Sequence, residues 1–319
     1  FVSSHSCHEI MKNFVKNIMK FKNSNMENFN QFPLDSTKVK IKIGTKKHSM
    51  EFGVSQNIFT KLKDISEKPA NLMLSKNHSV DKNSKNILVV EFNTIRYRTF
   101  FDHMSKSNLN FVVYNRRSPA FWNNQSYNII KQSDCIIETK NSLNNTNLKN
   151  IVSNGKDQTR VKILDLLSNE NFFKSFFSFD GISFWSSFKL FFTDFLTKRA
   201  LESIEEIELL KKLMEKYTFS SILILSEVGP HERIAIQLAE QKNIPVCLVQ
   251  HGLNYDTKEG YDMNVAKGAL PIKSDHYLCW GKVNEDYCKE LSIKSEKIHV
   301  IGSPVFDNVI FDEQNFSTT

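Results

Sequence analysis

Ser226-Glu227-Val228-Gly229-Pro230-His231-Glu232-Arg233, then a helical run, then Pro245-Val246-Cys247-Leu248-Val249-Gln250-His251-Gly252: this stretch decides the fold. Two apolar, β-branched segments, 222–225 and 246–249, each stop at a polar cluster containing a titratable group. Between them lies an amphipathic segment with Pro230 in its first turn, where a missing N–H costs nothing. Strand, helix and strand in this order make a parallel unit, and ligands of such sheets gather where strands end and helices begin. The spacing therefore predicts Glu227, His231 and His251 along one carboxyl edge. Turn and strand signals continue after Gly252 as far as Ile298-His299-Val300-Ile301-Gly302-Ser303-Pro304.

The same logic runs upstream. Ile87-Leu88-Val89-Val90 is a buried-strand signal, followed by Glu91-Phe92-Asn93-Thr94 and helical periodicity over 95–105. A strand at 110–114, a helix at 122–132 and a strand at 135–137 complete a β-α-β-α-β series, which implies a parallel sheet. Residues 139–157 are rich in Asn, Ser and Lys without a core pattern and are expected to form a poorly ordered loop. Helix is predicted over 160–178, and Asp180-Gly181-Ile182 punctuates the chain. Phe184, Phe188, Phe191 and Phe195 recur at helical spacing, a stripe read as core rather than as a lipid groove. The clearest helix follows, with Leu201, Ile204, Ile207, Leu210, Leu213, Met214 and Tyr217 on one face. Its glutamates come early and its lysines late, in line with the helix dipole. Before residue 87, Ile10, Met11, Phe14, Val15, Ile18 and Met19 mark a basic amphipathic helix over 8–22, which either packs on its own domain or lies on anionic lipid. A loop at 23–36, a strand at Val39, Ile41 and Ile43, and a weak pattern over 44–85 with one helix around 56–64 complete an irregular α+β N-terminal segment.

A chain of 319 residues with 40% hydrophobic and 12% aromatic residues can bury a large core. Its net charge of +7 suits anionic partners such as nucleotide sugars, phospholipid headgroups or nucleic acid, and equally suits solubility alone. Cys7, Cys135, Cys247, Cys279 and Cys288 are scattered without CxxC spacing, which points to free thiols in a reducing cytoplasm. His5, Cys7 and His8 have no second ligand pair, so no metal is expected. The chain begins Phe1-Val2-Ser3 and reads as starting inside a longer reading frame. It carries no secretory signal and no run of 18 apolar residues. Without GxGxxG, P-loop, GxSxG or HExxH, a dinucleotide dehydrogenase, kinase, serine hydrolase or zincin has no support. No nucleic-acid module is present, so no nucleic-acid partner is expected.

Strand ends carry the candidates. A histidine at His251 is suited to general-base work near neutral pH, or alternatively hydrogen-bonds a neighbouring loop. Gly252 lets backbone approach a ligand or takes positive φ. Glu227 either caps the next helix or holds an acceptor hydroxyl. Gly229-Pro230, His231 and Arg233 open a helix that can grip a phosphate. Glu91, Arg96, Arg116 and Arg117 bring charge toward the same edge, as an anion site or a solvated rim.

Three motifs carry a resemblance. Val249-Gln250-His251-Gly252-Leu253, Asp275-His276-Tyr277-Leu278-Cys279-Trp280-Gly281 and Val300-Ile301-Gly302-Ser303-Pro304-Val305-Phe306-Asp307 resemble a series found in capsule-type glycosyltransferases and CDP-glycerol glycerophosphotransferases. The GT-B folds of those enzymes are also similar to UDP-N-acetylglucosamine 2-epimerase. The stretch 87–122 is similar to the opening strand units of the same proteins, so the likeness covers roughly 87–310. The resemblance implies that the chain is the N-terminal half of a GT-B fold: an N-terminal segment over 1–85, a doubly wound parallel, Rossmann-like acceptor-side domain over 86–310, and at 311–319 the start of a crossover to a missing C-terminal domain. It implies that His251 is the catalytic base; on the strand-end reading Glu227 is its partner or an acceptor ligand. Gly252, His231, Arg233, Glu91, Arg96, Arg116, Arg117 and Ser303 would then bind acceptor or anion. The expected enzyme belongs to surface or capsular polysaccharide biosynthesis. It would take a nucleotide sugar or CDP-glycerol-like donor, held mostly by the missing domain, and a glycan or lipid-linked acceptor, with no further cofactor. Its expected place is the cytoplasm, with peripheral contact at the inner membrane face. The alternatives are a nucleotide-sugar 2-epimerase and a non-catalytic polysaccharide-binding or export factor.

Overall fold

The structure, a computed structural model, describes residues 39–44, 49–54, 85–254, 257 and 260–306, together with positions 58, 62, 63 and 65. The predicted elements at 8–22 and 23–36, most of 56–64, and the apolar residues Val309, Ile310, Phe311 and Phe316 lie outside the described residues. The chain divides into two compact units, Phe1–Met73 and Leu74–Thr319. In the first, β1 (Val39–Gly44) pairs antiparallel with β2 (Ser49–Val54). The sequence reading leaves β2 inside a weak pattern, although Met50, Phe52 and Val54 alternate with Ser49, Glu51 and Gly53.

The second unit opens with β3 (Asn86–Val90), α1 (Arg98–Met104), β4 (Asn110–Tyr114), α2 (Asn124–Ser133) and β5 (Ile136–Glu138). A long excursion follows: α3 (Lys140–Leu143), α4 (Thr146–Leu167), α5 (Glu170–Phe176), the two-residue strands β6 (Ser178–Phe179) and β7 (Ile182–Ser183), and α6 (Trp185–Lys216). The sheet resumes with β8 (Phe219–Ile224), α7 (Pro230–Gln241), β9 (Val246–Val249), α8 (Gly260–Ala266), β10 (His276–Cys279), α9 (Lys282–Glu290) and β11 (Ile298–Val300). The seven long strands form one parallel sheet in the order β11-β10-β9-β8-β3-β4-β5. This is a Rossmann-like α/β sheet. From β3 the chain first moves outward through β4 and β5, then returns to lay β8 on the other side of β3. Strand order therefore reverses between β3 and β8, and such a point opens a crevice beyond the carboxyl ends of the strands. Helices on both faces make these strands near-continuous apolar runs, with Leu88, Val89, Val90, Val112, Ile222, Ile224 and Leu248 fully buried.

The expectation of a loop over 139–157 is overturned, because that stretch is α3 and most of α4. Its Asn and Ser content is capping chemistry. Thr139 and Ser142 cap α3 reciprocally, and the Asn145 side chain accepts a hydrogen bond from Leu148 N at 2.8 Å to start α4. Leu143 and Leu148 are buried, so the stretch has apolar anchors after all. The phenylalanine stripe and the Leu-rich helix merge into α6, a single helix of 32 residues that packs along α4. Asp180 and Gly181, at φ 48° and 75°, make the tight turn between β6 and β7, where positive φ at both centres matches strand twist. Around that turn, Phe173, Phe177 and Phe192 enclose Trp185, with ring centroids 4.7, 5.2 and 5.8 Å from it. The stripe is core only in part: Phe184 and Phe188 are half-buried, whereas Phe191 and Phe195 are exposed. Among the described residues, no helix is long and apolar enough to cross a membrane.

Candidate functional site

Glu91 leaves β3 at φ 62°, a left-handed conformation that costs a residue with a Cβ about 1–2 kcal/mol. Its carboxylate shows what holds it there. Oε1 accepts from the backbone N–H of Arg116 at 2.6 Å and of Arg117 at 2.9 Å, tying the end of β3 to the exit of β4. Arg117 then reaches across the switch point. Its Nε lies 3.4 Å from Glu91 Oε2, and its Nη2 donates to Glu232 Oε1 in the first turn of α7. Glu91 and Glu232 have side-chain exposures of 2% and 0%, whereas Arg117 is 48% exposed, so one half-solvated cation answers two buried acids. Burial pushes the Glu232 carboxyl above the usual carboxylate range, with Arg117 opposing. Glu232 curls back over its own helix start: a Cβ on Gly229 would fall 2.1 Å from Glu232 Oε2.

Arg116 turns the other way. Its Nε donates to Glu206 Oε2 of α6 at 3.0 Å, and His231 Nδ1 stands 3.4 Å from Glu206 Oε1. Burial alone would raise the Glu206 carboxyl, but the His231 and Arg116 contacts hold it below the usual range. Arg116 and Arg117 are thus both drawn onto protein carboxylates. Arg96 and Arg233 have no acidic partner among the described residues; Arg96 Nη2 instead donates to the carbonyl of His251 at 2.6 Å.

His251 follows β9 through Gln250. Half-buried, its imidazole is pushed below the ordinary histidine pKa by burial, then by the positive charges of Arg96, Arg117 and Lys267. The shift favours the neutral imidazole, the form that can accept a proton. Gly252 does not adopt the left-handed φ allowed for it in the sequence reading, and no atom lies within 4 Å of where its Cβ would stand. The Glu227 carboxylate is engaged by backbone amides. It accepts from the backbone N–H groups of Ile272 (3.1 Å), Lys273 (2.9 and 3.0 Å) and Ser274 (2.7 Å), clasping the approach to β10. It does not cap α7, whose start has no side-chain cap bond, and holds the 272–274 backbone instead. Ser303 follows Gly302 (φ 81°) beyond β11, its Oγ buried without a hydrogen-bond partner among the described residues.

The sequence reading missed three side chains that organise this edge. Buried Gln250 donates through Nε2 to Gly252 O and Asn284 Oδ1, both at 2.9 Å, and accepts from Trp280 N at 2.7 Å. It thereby joins the exits of β9 and β10 to α9. Glu232 stands at the third helical position after Gly229-Pro230, where an acid signals a helix start, and that signal was available. Glu206 lies mid-helix in α6 and has no local signal. Among the described residues, no group of three or more His, Cys, Asp or Glu side chains is placed to hold a metal ion.

No protein-family model matches the chain, and no curated protein matches it. Among solved structures it is similar to a UDP-GlcNAc 2-epimerase from Neisseria meningitidis bound to UDP-GlcNAc, at 12% identity and a TM-score of 0.41, over 73% of this chain and 51% of that one. It is also similar to the UDP-N-acetylglucosamine 2-epimerase of Rickettsia bellii, at 10% identity and a TM-score of 0.35, over 74% and 50%. The chain spans about half the length of each. Likeness this distant carries no argument about the chemistry. That rests on the edge itself.

Proposed function

We propose that this chain supplies the acceptor-side half of a GT-B-type, nucleotide-sugar-using enzyme of surface-polysaccharide assembly. The observation that carries the reading is the place of His251, half-buried just past β9 with Arg96 Nη2 donating to its carbonyl, where burial and nearby cations lower its pKa. The motif resemblance around His251 supports it as well. In this reading the His251 imidazole takes the proton of an acceptor hydroxyl as that oxygen attacks the donor's anomeric carbon, or its phosphorus for a glycerol-phosphate-like unit. The bond to the nucleotide breaks, and the nucleotide leaves with its electron pair. Arg96 and Arg233 face the anionic groups. Glu227 acts as a positioning residue through the 272–274 backbone.

The test is nucleotide release from UDP-N-acetylglucosamine, CDP-glycerol and related donors by this chain joined to a donor-side domain, with and without glycan acceptors. Acceptor-dependent release that H251A lowers by about 100-fold, the scale of a lost general base, supports the reading. Release without acceptor favours an epimerase or hydrolase, and release indifferent to H251A contradicts the role of His251. Acceptor binding alone, read from the His251 ring resonances, tests the acceptor half without a donor.

A further inference from the structure

A cavity opens beyond β5, where α3 and α4 meet α6. It has a volume of about 270 Å3, just under the ~300–1,000 Å3 of ordinary small-molecule sites. Leu148, Val152 and Leu209 line it with apolar surface, Asn144 and Ser153 add hydrogen-bonding groups, and Lys140, Lys149 and Lys156 bring charge. The positions follow from helix geometry. Leu148, Lys149, Val152, Ser153 and Lys156 fall on one face of α4, and Glu205 and Leu209 lie one turn apart on α6.

Among the described residues, Glu205 is the sole acid lining the cavity. Lys140 reaches its Oε1, Lys156 lies 2.8 Å from its Oε2, and Arg116 Nη2 lies 3.9 Å away. Burial would raise its carboxyl, but the two lysines hold it down at about 2, so it is charged throughout the physiological range. Three ammonium groups against one carboxylate leave two positive charges in excess, and Lys149 has no ion pair among the described residues. A cavity with fixed excess charge, hydrogen-bonding groups and an apolar floor matches an anion carried on a small organic body.

We propose that this cavity is a binding site for a phosphate monoester, its dianion held by Lys140, Lys149 and Lys156 in competition with Glu205. It is separate from the His251 site and does not rest on the function proposed for it. Arg116 contacts both Glu205 of the cavity and Glu206, the partner of His231.

The probes are inorganic phosphate and glucose 6-phosphate, titrated calorimetrically into the whole chain at low salt. Saturable binding is expected, tighter for glucose 6-phosphate, whose body reaches the apolar floor. K149A, which removes an exposed and unpaired side chain, should leave the melting temperature unchanged and weaken binding about tenfold, the scale of one charge-assisted hydrogen bond. E205Q removes the internal competitor and should tighten binding several-fold. A purely structural lysine–glutamate cluster predicts the reverse, with no gain in E205Q. H251A should change nothing. Absence of saturable binding in the millimolar range, equal displacement by chloride, indifference to K149A, or loss of binding in H251A would each overturn the proposal.

Discussion

At the switch point, Glu91, Glu206, Glu227 and Glu232 are each answered by a cation or by backbone amides, whereas around the β6–β7 end of the α4–α6 pair large apolar side chains stand in solvent. Leu190 is 81% and Phe176 67% exposed there, within a few residues of a fully buried Trp185. The two regions solve different problems. Parallel strands bring their ends together by topology, so charge accumulates at one edge and must be neutralised inside the protein at high geometric cost, as the left-handed Glu91 shows. A long helical pair extending from the sheet has too little around it to cover its aromatic residues, and builds a private core around Trp185 instead.

If that private core is independent, Trp185→Ala costs the most, about 3–5 kcal/mol for a fully buried aromatic. Amide exchange should then accelerate across α4, α5 and α6 while β3 and β8 keep their protection. Equal loss in the sheet would merge the two regions into one cooperative unit. Next in size is Glu227→Ala, which strands three backbone donors before β10 and should lower stability by about 3 kcal/mol in denaturant melts. Arg117→Ala should cost about 2 kcal/mol. It leaves Glu91 and Glu232 without their shared cation, but half of that side chain already faces solvent, which discounts the pair.

The pH dependence sharpens the same contrast. The Glu232 carboxyl is raised in the folded state, so its contribution is fully present below the unfolded value of about 4.3 and is lost as pH rises through the folded value. In Glu232→Gln that decline should vanish relative to wild type, measured as melting temperature against pH. The smallest effect is expected at the hairpin surface: Phe176→Ser should stay within about 0.5 kcal/mol of wild type, because the ring is already in water.

The sheet was legible because buried parallel strands announce themselves as short apolar runs, as at Ile87-Leu88-Val89-Val90 and Val246-Cys247-Leu248-Val249. The stretch 139–157 was not, because Asn145 and Thr139 look like loop residues until their caps are seen, and because much of α4 faces solvent. In the site, position alone puts Glu91, Arg117 and His251 just beyond strand ends. Their partners were harder. Glu206 comes from the middle of a helix 90 residues from Arg116, a pairing that no local pattern encodes. Glu227 lies at a strand end as its position indicates, but nothing in its neighbourhood reveals that the 272–274 amides converge on it.

The claim that this edge carries proton-transfer chemistry depends on His251 being neutral where histidines are half-charged. An NMR titration of its ring protons tests that directly, without substrate. The account predicts a midpoint below the ordinary value of about 6.5 that moves upward in Arg96→Ala, as one of the depressing charges is removed. A midpoint at or above the ordinary value, unmoved by Arg96→Ala, would contradict it.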